Sequence, residues 1–253
     1  MKEYQKFKKN CGSNISRQFE DYDLAKSKKD FFISSFHHKY PYNFEFLGRP
    51  IVQYPQDIVA IQELIWEIKP DLIIETGIAH GGSLIFSSSL LCLLDIIEGK
   101  DPRSSSRKVL GIDIDIREHN EKAIKKHPLS FKLEMIQGSS VDKSTLKKVD
   151  KIANKYERIL VLLDSNHTHE HVLKELNAYS KYVSLESYCI VFDTCIENIE
   201  KGSYPDRPWE VGNNPMTAIN VWLPNNPDFI VDKLIDNKLM ISVAPCGYLK
   251  KIK

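Results

Sequence analysis

Five short runs rich in aliphatic and β-branched residues recur along this chain, at residues 72–75, 109–114, 132–136, 159–164 and 188–193. Longer stretches with helical spacing, or with polar, lysine-rich faces, separate them. Strands buried on both faces read as near-continuous apolar runs, and helical crossovers between them make the pairing parallel. The pattern predicts an α/β fold, a mostly parallel sheet with helices on both faces. Ahead of the first run, Ile58, Ile61, Leu64, Ile65 and Ile68 mark a helix over residues 56–68, ended by Pro70. After the fifth run a loop with Gly202, Pro205, Pro208 and Gly212 leads to a helix near residues 216–223. Two late runs, 229–234 and 239–244, are spaced to pair antiparallel. With no internal repeat, residues 51–253 read as one domain. Residues 1–30 are polar and lysine-rich and read as a loosely packed leader. Residues 31–50 carry Phe31, Phe32, Phe36, Tyr40, Tyr42, Phe44 and Phe46, broken by Pro41 and Gly48. Such a stretch either caps an active site or packs down on the domain, so residues 1–50 form a leader and cap segment.

Composition narrows the function classes. Hydrophobic residues make up 42% of the 253, enough for a sizeable core, and 35 basic against 34 acidic residues leave a net charge of +1. That balance argues against a nucleic-acid or membrane partner, which would call for a basic face. The five cysteines are odd in number and show no CxxC spacing. Cys92, Cys189 and Cys246 lie in apolar or strand-like surroundings and read as small buried residues in a reducing compartment. The start MKEYQKFKKN lacks the apolar run of a signal peptide, and nothing approaches the ~18 consecutive apolar residues of a membrane helix. The expectation is a cytoplasmic protein, open to homo-oligomer formation.

Ligands in open α/β sheets sit at the carboxyl ends of the strands. The first strand runs into IIETGIAHGGS, which puts Glu75, Gly77, Gly81, Gly82 and Ser83 on the turn into the next helix. Glycine lets backbone approach a ligand closely, and a helix amino end offers free N–H groups. The turn is not GxGxxG, and an acid before its first glycine suits a positive amino group better than a pyrophosphate. Taken alone, it serves equally as a tight turn with an ordinary cap. The second strand ends GIDID, where Asp113 can accept hydrogen bonds from both hydroxyls of a ribose. The third is followed by QGSS, where Gly138 and Ser139 can edge an adenine. Together the three favour a nucleoside-containing ligand.

These segments, with LLDSNHTHEHVLKEL, IVFDT and the final GYLKKI, resemble the cephalosporin hydroxylase-like family of class I methyltransferases over roughly residues 50–253. The resemblance implies a Rossmann-like fold with a seven-stranded sheet and an antiparallel carboxyl-terminal hairpin. It implies S-adenosylmethionine as cofactor, often magnesium, and a hydroxyl of a sugar, nucleotide-sugar or glycosylated natural product as acceptor. Carried over by residue, Glu75, Gly77 and Ser83 match the methionine-binding turn, Asp113 the ribose-binding acid and Ser139 the adenine edge.

Two further strands end in carboxylates, Asp164 and Asp193. Acids converging on one spot repel unless a cation lies between them or one takes a proton, and oxygen ligands favour a hard ion such as magnesium. The bland reading is that either acid caps the helix after it. The layout is similar to that of catechol O-methyltransferases, where the matching positions are Asp164, His167, Asp193 and Thr194. It implies Asp164, Asp193 and Thr194 as metal ligands, Asp164 also beside the cofactor, and His167 as the base acting with Asp164. Thr194 departs from the pattern, offering a hydroxyl where an amide oxygen is usual, and Phe192 stands where close relatives carry an acid. His169 reads as facing solvent or the cofactor's edge and His80 as positional, while one loop with His167, His169 and His171 lacks the separated ligand pairs of a zinc site. Tyr204, Arg207, Trp209 and Glu210 lie on a loop over the sheet edge and either recognise a sugar or nucleotide or simply pack down. A nicotinamide-dependent oxidoreductase, an iron-dependent hydroxylase and a non-catalytic partner are the competing readings; the missing GxGxxG counts against the first.

Overall fold

The computed structural model describes residues 2–253. Two helices, α1 (Lys2–Glu20) and α2 (Tyr22–His37), precede a small antiparallel pair, β1 (Phe44–Phe46) and β2 (Arg49–Ile51). Helix α3 (Pro55–Ile68) then opens a regular alternation: β3 (Leu72–Thr76), α4 (Gly82–Ile97), β4 (Lys108–Asp113), α5 (Glu118–Lys126), β5 (Leu133–Gln137), α6 (Lys143–Ala153), β6 (Ile159–Leu163), α7 (His169–Tyr179) and β7 (Tyr188–Val191). The chain closes with α8 (Pro215–Trp222), β8 (Phe229–Val231), α9 (Lys233–Leu239) and β9 (Tyr248–Lys251).

The strands form one seven-stranded sheet in the order β5-β4-β3-β6-β7-β9-β8. The first five are parallel, and β9 alone runs against both its neighbours. Every residue of β3 and β6 is buried, which explains why these runs do not alternate in polarity. Successive side chains enter opposite cores: Ile73 joins α3 and α4 on one face, while Leu72 and Ile74 join α6 and α7 on the other. The order reverses between β3 and β6, because the chain moves outward through β4 and β5 before returning. A crevice opens at such a switch point, beyond the carboxyl ends of the strands.

Two expectations need correction. The carboxyl-terminal strands are β8 and β9; the second late run, 239–244, is not a strand, because residues 233–239 form α9 and the pairing partner comes later. The polar, lysine-rich leader is helical, and α1 buries none of its side chains. Cys246 is exposed and Cys195 is buried; all five cysteines are free. No helix among the described residues is long and apolar enough to cross a membrane.

Candidate active site

The turn after β3 is shaped by close backbone approaches. Gly77 has φ +88°, and a Cβ there would lie 2.0 Å from the Asp164 carbonyl oxygen; at Gly82 it would lie 2.2 Å from the Pro50 carbonyl oxygen. Both glycines let the turn nest between the β6 loop and the β1–β2 pair, whereas the sequence suggested room for a ligand. Arg49 donates through Nε (2.8 Å) and Nη2 to the His80 carbonyl, and Asn120 donates to the Ala79 carbonyl at 3.0 Å. The turn is thus clamped from two sides, and His80 supplies its main chain to the clamp.

Beneath the turn, Glu75 is 2% exposed. Its Oε1 accepts from the Ser83 hydroxyl, and its Oε2 is buried without a partner. Burial drives its carboxyl from 4.5 up to about 8, against the lowering effect of Ser83. At the end of β4, Asp113 Oδ2 accepts from the Ile78 N–H at 2.7 Å and Oδ1 from the Asp115 N–H at 3.0 Å.

Asp164, His167 and Asp193 form the centre, with one ligand atom from each lying within 4.8 Å of the others. His167 Nε2 is 3.1 Å from Asp193 Oδ2. Neither acid pairs with a lysine or arginine among the described residues. The Asp164 carboxyl is pushed well above the carboxylate range by burial first and then by the charge on Asp193. Asp193 holds a left-handed backbone, φ 55°, at the abrupt turn after β7, a strained geometry typical of functional sites.

Thr194, next to Asp193, is fully buried and is not among the residues lining the cavity over the cluster; its hydroxyl donates to the Pro245 carbonyl at 2.6 Å. His167 supplies the third side chain of the Asp164–Asp193 cluster. His169 departs from expectation: Nδ1 lies 2.8 Å from the Thr217 hydroxyl and its N–H donates to Asn213, so it joins α7 to the segment around α8.

A cavity of about 710 Å³ opens over the cluster, lined by Gly77, Asp113, Asp164, His167 and Asp193 below. Glu75 lies under this floor rather than on its surface. Phe36 and Tyr42 from the amino-terminal stretch, with Tyr204 and Trp209 from the late loop, form the other wall. The Phe36 and Tyr204 rings meet edge to face at 5.6 Å, and Trp209 meets His167 in the same way at 6.1 Å. The aromatic stretch thus packs on the late loop through Phe36 and lends Phe36 and Tyr42 to the cavity wall. A second cavity of about 250 Å³ adjoins, lined by Ile112, Ile114, Ser139, Asn166 and His171, and it shares Asp113 and Ser165 with the first.

Sequence reasoning missed Asp57 and Glu175. Asp57 is fully buried on α3 and accepts from Ser242 (2.6 Å), the Val243 N–H (2.8 Å) and Tyr248 (2.7 Å). It thereby fixes the loop that places Val243 in the cavity wall. An acid on the apolar face Asp57–Ala60–Ile61–Leu64 was the available signal.

A profile described as Rhamnosyl O-methyltransferase/CmcI matches residues 38–252. A rhamnosyl O-methyltransferase of Mycobacterium tuberculosis strain H37Rv is 27% identical over 195 residues, covering 76% of this chain and 72% of that protein. The Mycobacterium leprae protein of the same name is 24% identical over 205 residues, covering 80% and 81%. A structure of CmcI with Mg and SAM superposes with a TM-score of 0.56 at 18% identity, over 84% of this chain and 78% of that one. A putative caffeoyl-CoA O-methyltransferase from Staphylococcus aureus gives 0.51 at 16%, over 72% and 78%. The two structural likenesses support the fold alone.

Proposed function

The chain belongs to the rhamnosyl O-methyltransferase/CmcI family, and from that membership we propose that it methylates a sugar hydroxyl in a metal-assisted reaction dependent on S-adenosylmethionine. The observation that carries the reading is a set of acids, Glu75, Asp164 and Asp193, with no lysine or arginine in an ion pair with them among the described residues. Both absent groups fit this donor set. The unpartnered Oε2 of Glu75 suits an ammonium group, and the Asp164–His167–Asp193 cluster suits a hard divalent cation. When bound, the cofactor offers an electrophilic methyl group on a sulfonium, and the cation lowers the pKa of an acceptor hydroxyl.

The chain's own residues then take distinct roles. Gly77 on the cavity floor, with Glu75 and Ser83 beneath it, forms the methionine end of the site. Asp113 keeps lone pairs for the ribose hydroxyls, and Ser139 edges the base in the smaller cavity. Asp164 and Asp193 hold the cation, with Asp164 also closing the cofactor side. Asp193 stabilises a proton on Nε2 of His167, which leaves Nδ1 to accept the proton of the acceptor hydroxyl. With the cofactor bound, the acceptor oxygen freed of its proton by His167 would take the methyl group, and the sulfonium would leave as its neutral thioether, S-adenosylhomocysteine. Phe36, Tyr42, Tyr204 and Trp209 exclude water and offer apolar faces to a saccharide ring. The rhamnosyl acceptors named for the mycobacterial relatives support a sugar as substrate.

A second reading rests on the cluster geometry: His167 is close enough to be the cation's third ligand rather than the base. The test of the main reading is transfer of labelled methyl from S-adenosylmethionine to a panel of rhamnosylated and other glycosylated acceptors, with and without a chelator. Methylation of a sugar hydroxyl that falls on chelation is expected. Absence of cofactor binding at high micromolar concentration would end the proposal.

A further inference from the structure

Glu175, on α7, is fully buried, and no lysine or arginine lies near it among the described salt bridges. Its Oε1 accepts the Ser165 hydroxyl proton at 2.7 Å, and its Oε2 has no partner. One turn earlier on the same helix face, His171 Nε2 lies 3.6 Å from Glu175 Oε1, 3.2 Å from Ser165 Oγ and 3.0 Å from Ser140 Oγ. The proton positions follow from this set. Ser165 gives its only proton to the carboxylate, so its oxygen is left as an acceptor, and the His171 tautomer protonated on Nε2 is the one that serves it. Tyr179, further along α7, donates to the Ser140 carbonyl at 2.7 Å. Helix α7 therefore grips the loop after β5 through two contacts to Ser140 and the loop after β6 through two to Ser165.

Those two loops do different work. Ser139 and Ser140, with His171 itself, line the smaller cavity, and Ser165 lies on the wall between it and the larger one. Ser165 directly follows Asp164, whose carbonyl and the Ser165 Cα are the atoms pressed against Gly77. A shift of Ser165 would move the Asp164 peptide and the methionine-binding turn with it. The geometry points to a positioning relay: Glu175, Ser165 and His171 couple occupancy of the nucleoside-base cavity to the placement of the Asp164 carboxylate. This inference rests on the reading of the site as one for S-adenosylmethionine. A buried carboxylate on a helix would otherwise be a net destabilisation; as the anchor of this relay it has a task.

The test uses His171→Ala, His171→Gln and Glu175→Gln in the full chain. S-adenosylhomocysteine affinity is read by calorimetry, and kcat at saturating cofactor and acceptor is read separately. The Gln amide nitrogen can stand close to the position of Nε2, so the glutamine variant keeps the donor. His171→Ala is expected to weaken S-adenosylhomocysteine binding about tenfold and also to lower kcat about tenfold, the scale of one buried hydrogen bond. His171→Gln should restore both quantities to within about threefold of the parent, and Glu175→Gln, which keeps the Ser165 acceptor but removes the charge, should reproduce the alanine pattern in weaker form. A change in affinity with unchanged kcat would show a residue that only lines the cavity and would overturn the coupling, as would a glutamine variant no better than alanine. Should His171→Ala fail to fold, Ser165→Ala carries the same two-sided prediction. Failure of the parent protein to bind S-adenosylhomocysteine strikes the functional reading instead.

Discussion

Asp95, fully buried beside the amino ends of β4 and β5, and Asp164, half-buried on the cavity floor at the carboxyl end of β6, are both acids, and their surroundings differ. Asp95 accepts from Lys132 at 2.6 Å, Arg107 at 2.7 Å and Ser105 at 2.8 Å; Lys132 is itself fully buried, and Arg107 reaches on to Glu98. Burial alone would raise the Asp95 carboxyl, but the donors outweigh it and hold it below the ordinary range. Asp164 faces Asp193 and Glu75 instead, and both charges add to the upward push of burial. One end of the sheet satisfies its acids from within the chain; the other leaves them short of positive charge. Acids gathered without a protein cation repel one another, so the second arrangement supports the proposed site for cationic ligands.

The contrast can be broken at either end. Replacing Lys132 by Met removes an internal cation from Asp95 and is expected to lower stability by about 3 kcal/mol, measured by urea unfolding, with S-adenosylhomocysteine affinity of the folded protein unchanged. At the other end, His167→Ala is expected to lower kcat at least ~100-fold. Divalent-cation affinity measured on the same variant then separates base from ligand: a base leaves it intact, and a third ligand weakens it. Asp164→Asn should show the opposite sign of stability change to Lys132→Met. The ligand-free protein gains on the order of 1 kcal/mol by losing an uncompensated charge, while methyl transfer collapses. Thr194→Val is the mildest change. It should lose about 1 kcal/mol for the broken bond to Pro245 and keep the metal dependence of the parent, because this buried hydroxyl is engaged by the main chain and Thr194 does not line the cavity.

Most of the framework was legible because it follows from periodicity. The continuous runs of β3 and β6 announced buried parallel strands, and strand-end acids in Glu75, Asp113, Asp164 and Asp193 marked the functional edge. Periodicity fails where tertiary contacts decide. The short β8 pairs with β9 across α9, a partner that spacing alone placed too early in the chain. Thr194 matches a ligand position by resemblance, and nothing in the sequence announces that its hydroxyl bonds the Pro245 carbonyl. Two residues did leave a trace that went unread. Asp57 occupies an apolar helix face, and Glu175 stands four residues after His171, the spacing at which helical side chains meet.

Glu75 provides the sharpest test that the acids at this edge wait for positive charge. Its carboxyl is raised from 4.5 to about 8, so the folded, ligand-free protein holds that proton more tightly than the unfolded chain. The resulting stability is fully present below about pH 4.5 and is lost as pH rises toward about 8. Binding an ammonium group against Glu75 must then expel the proton. Calorimetry of S-adenosylhomocysteine binding near neutral pH, in two buffers of different ionisation enthalpy, should record release of close to one proton, with affinity rising by up to about tenfold per pH unit below that value. Binding with no proton release and no dependence on pH would contradict the account.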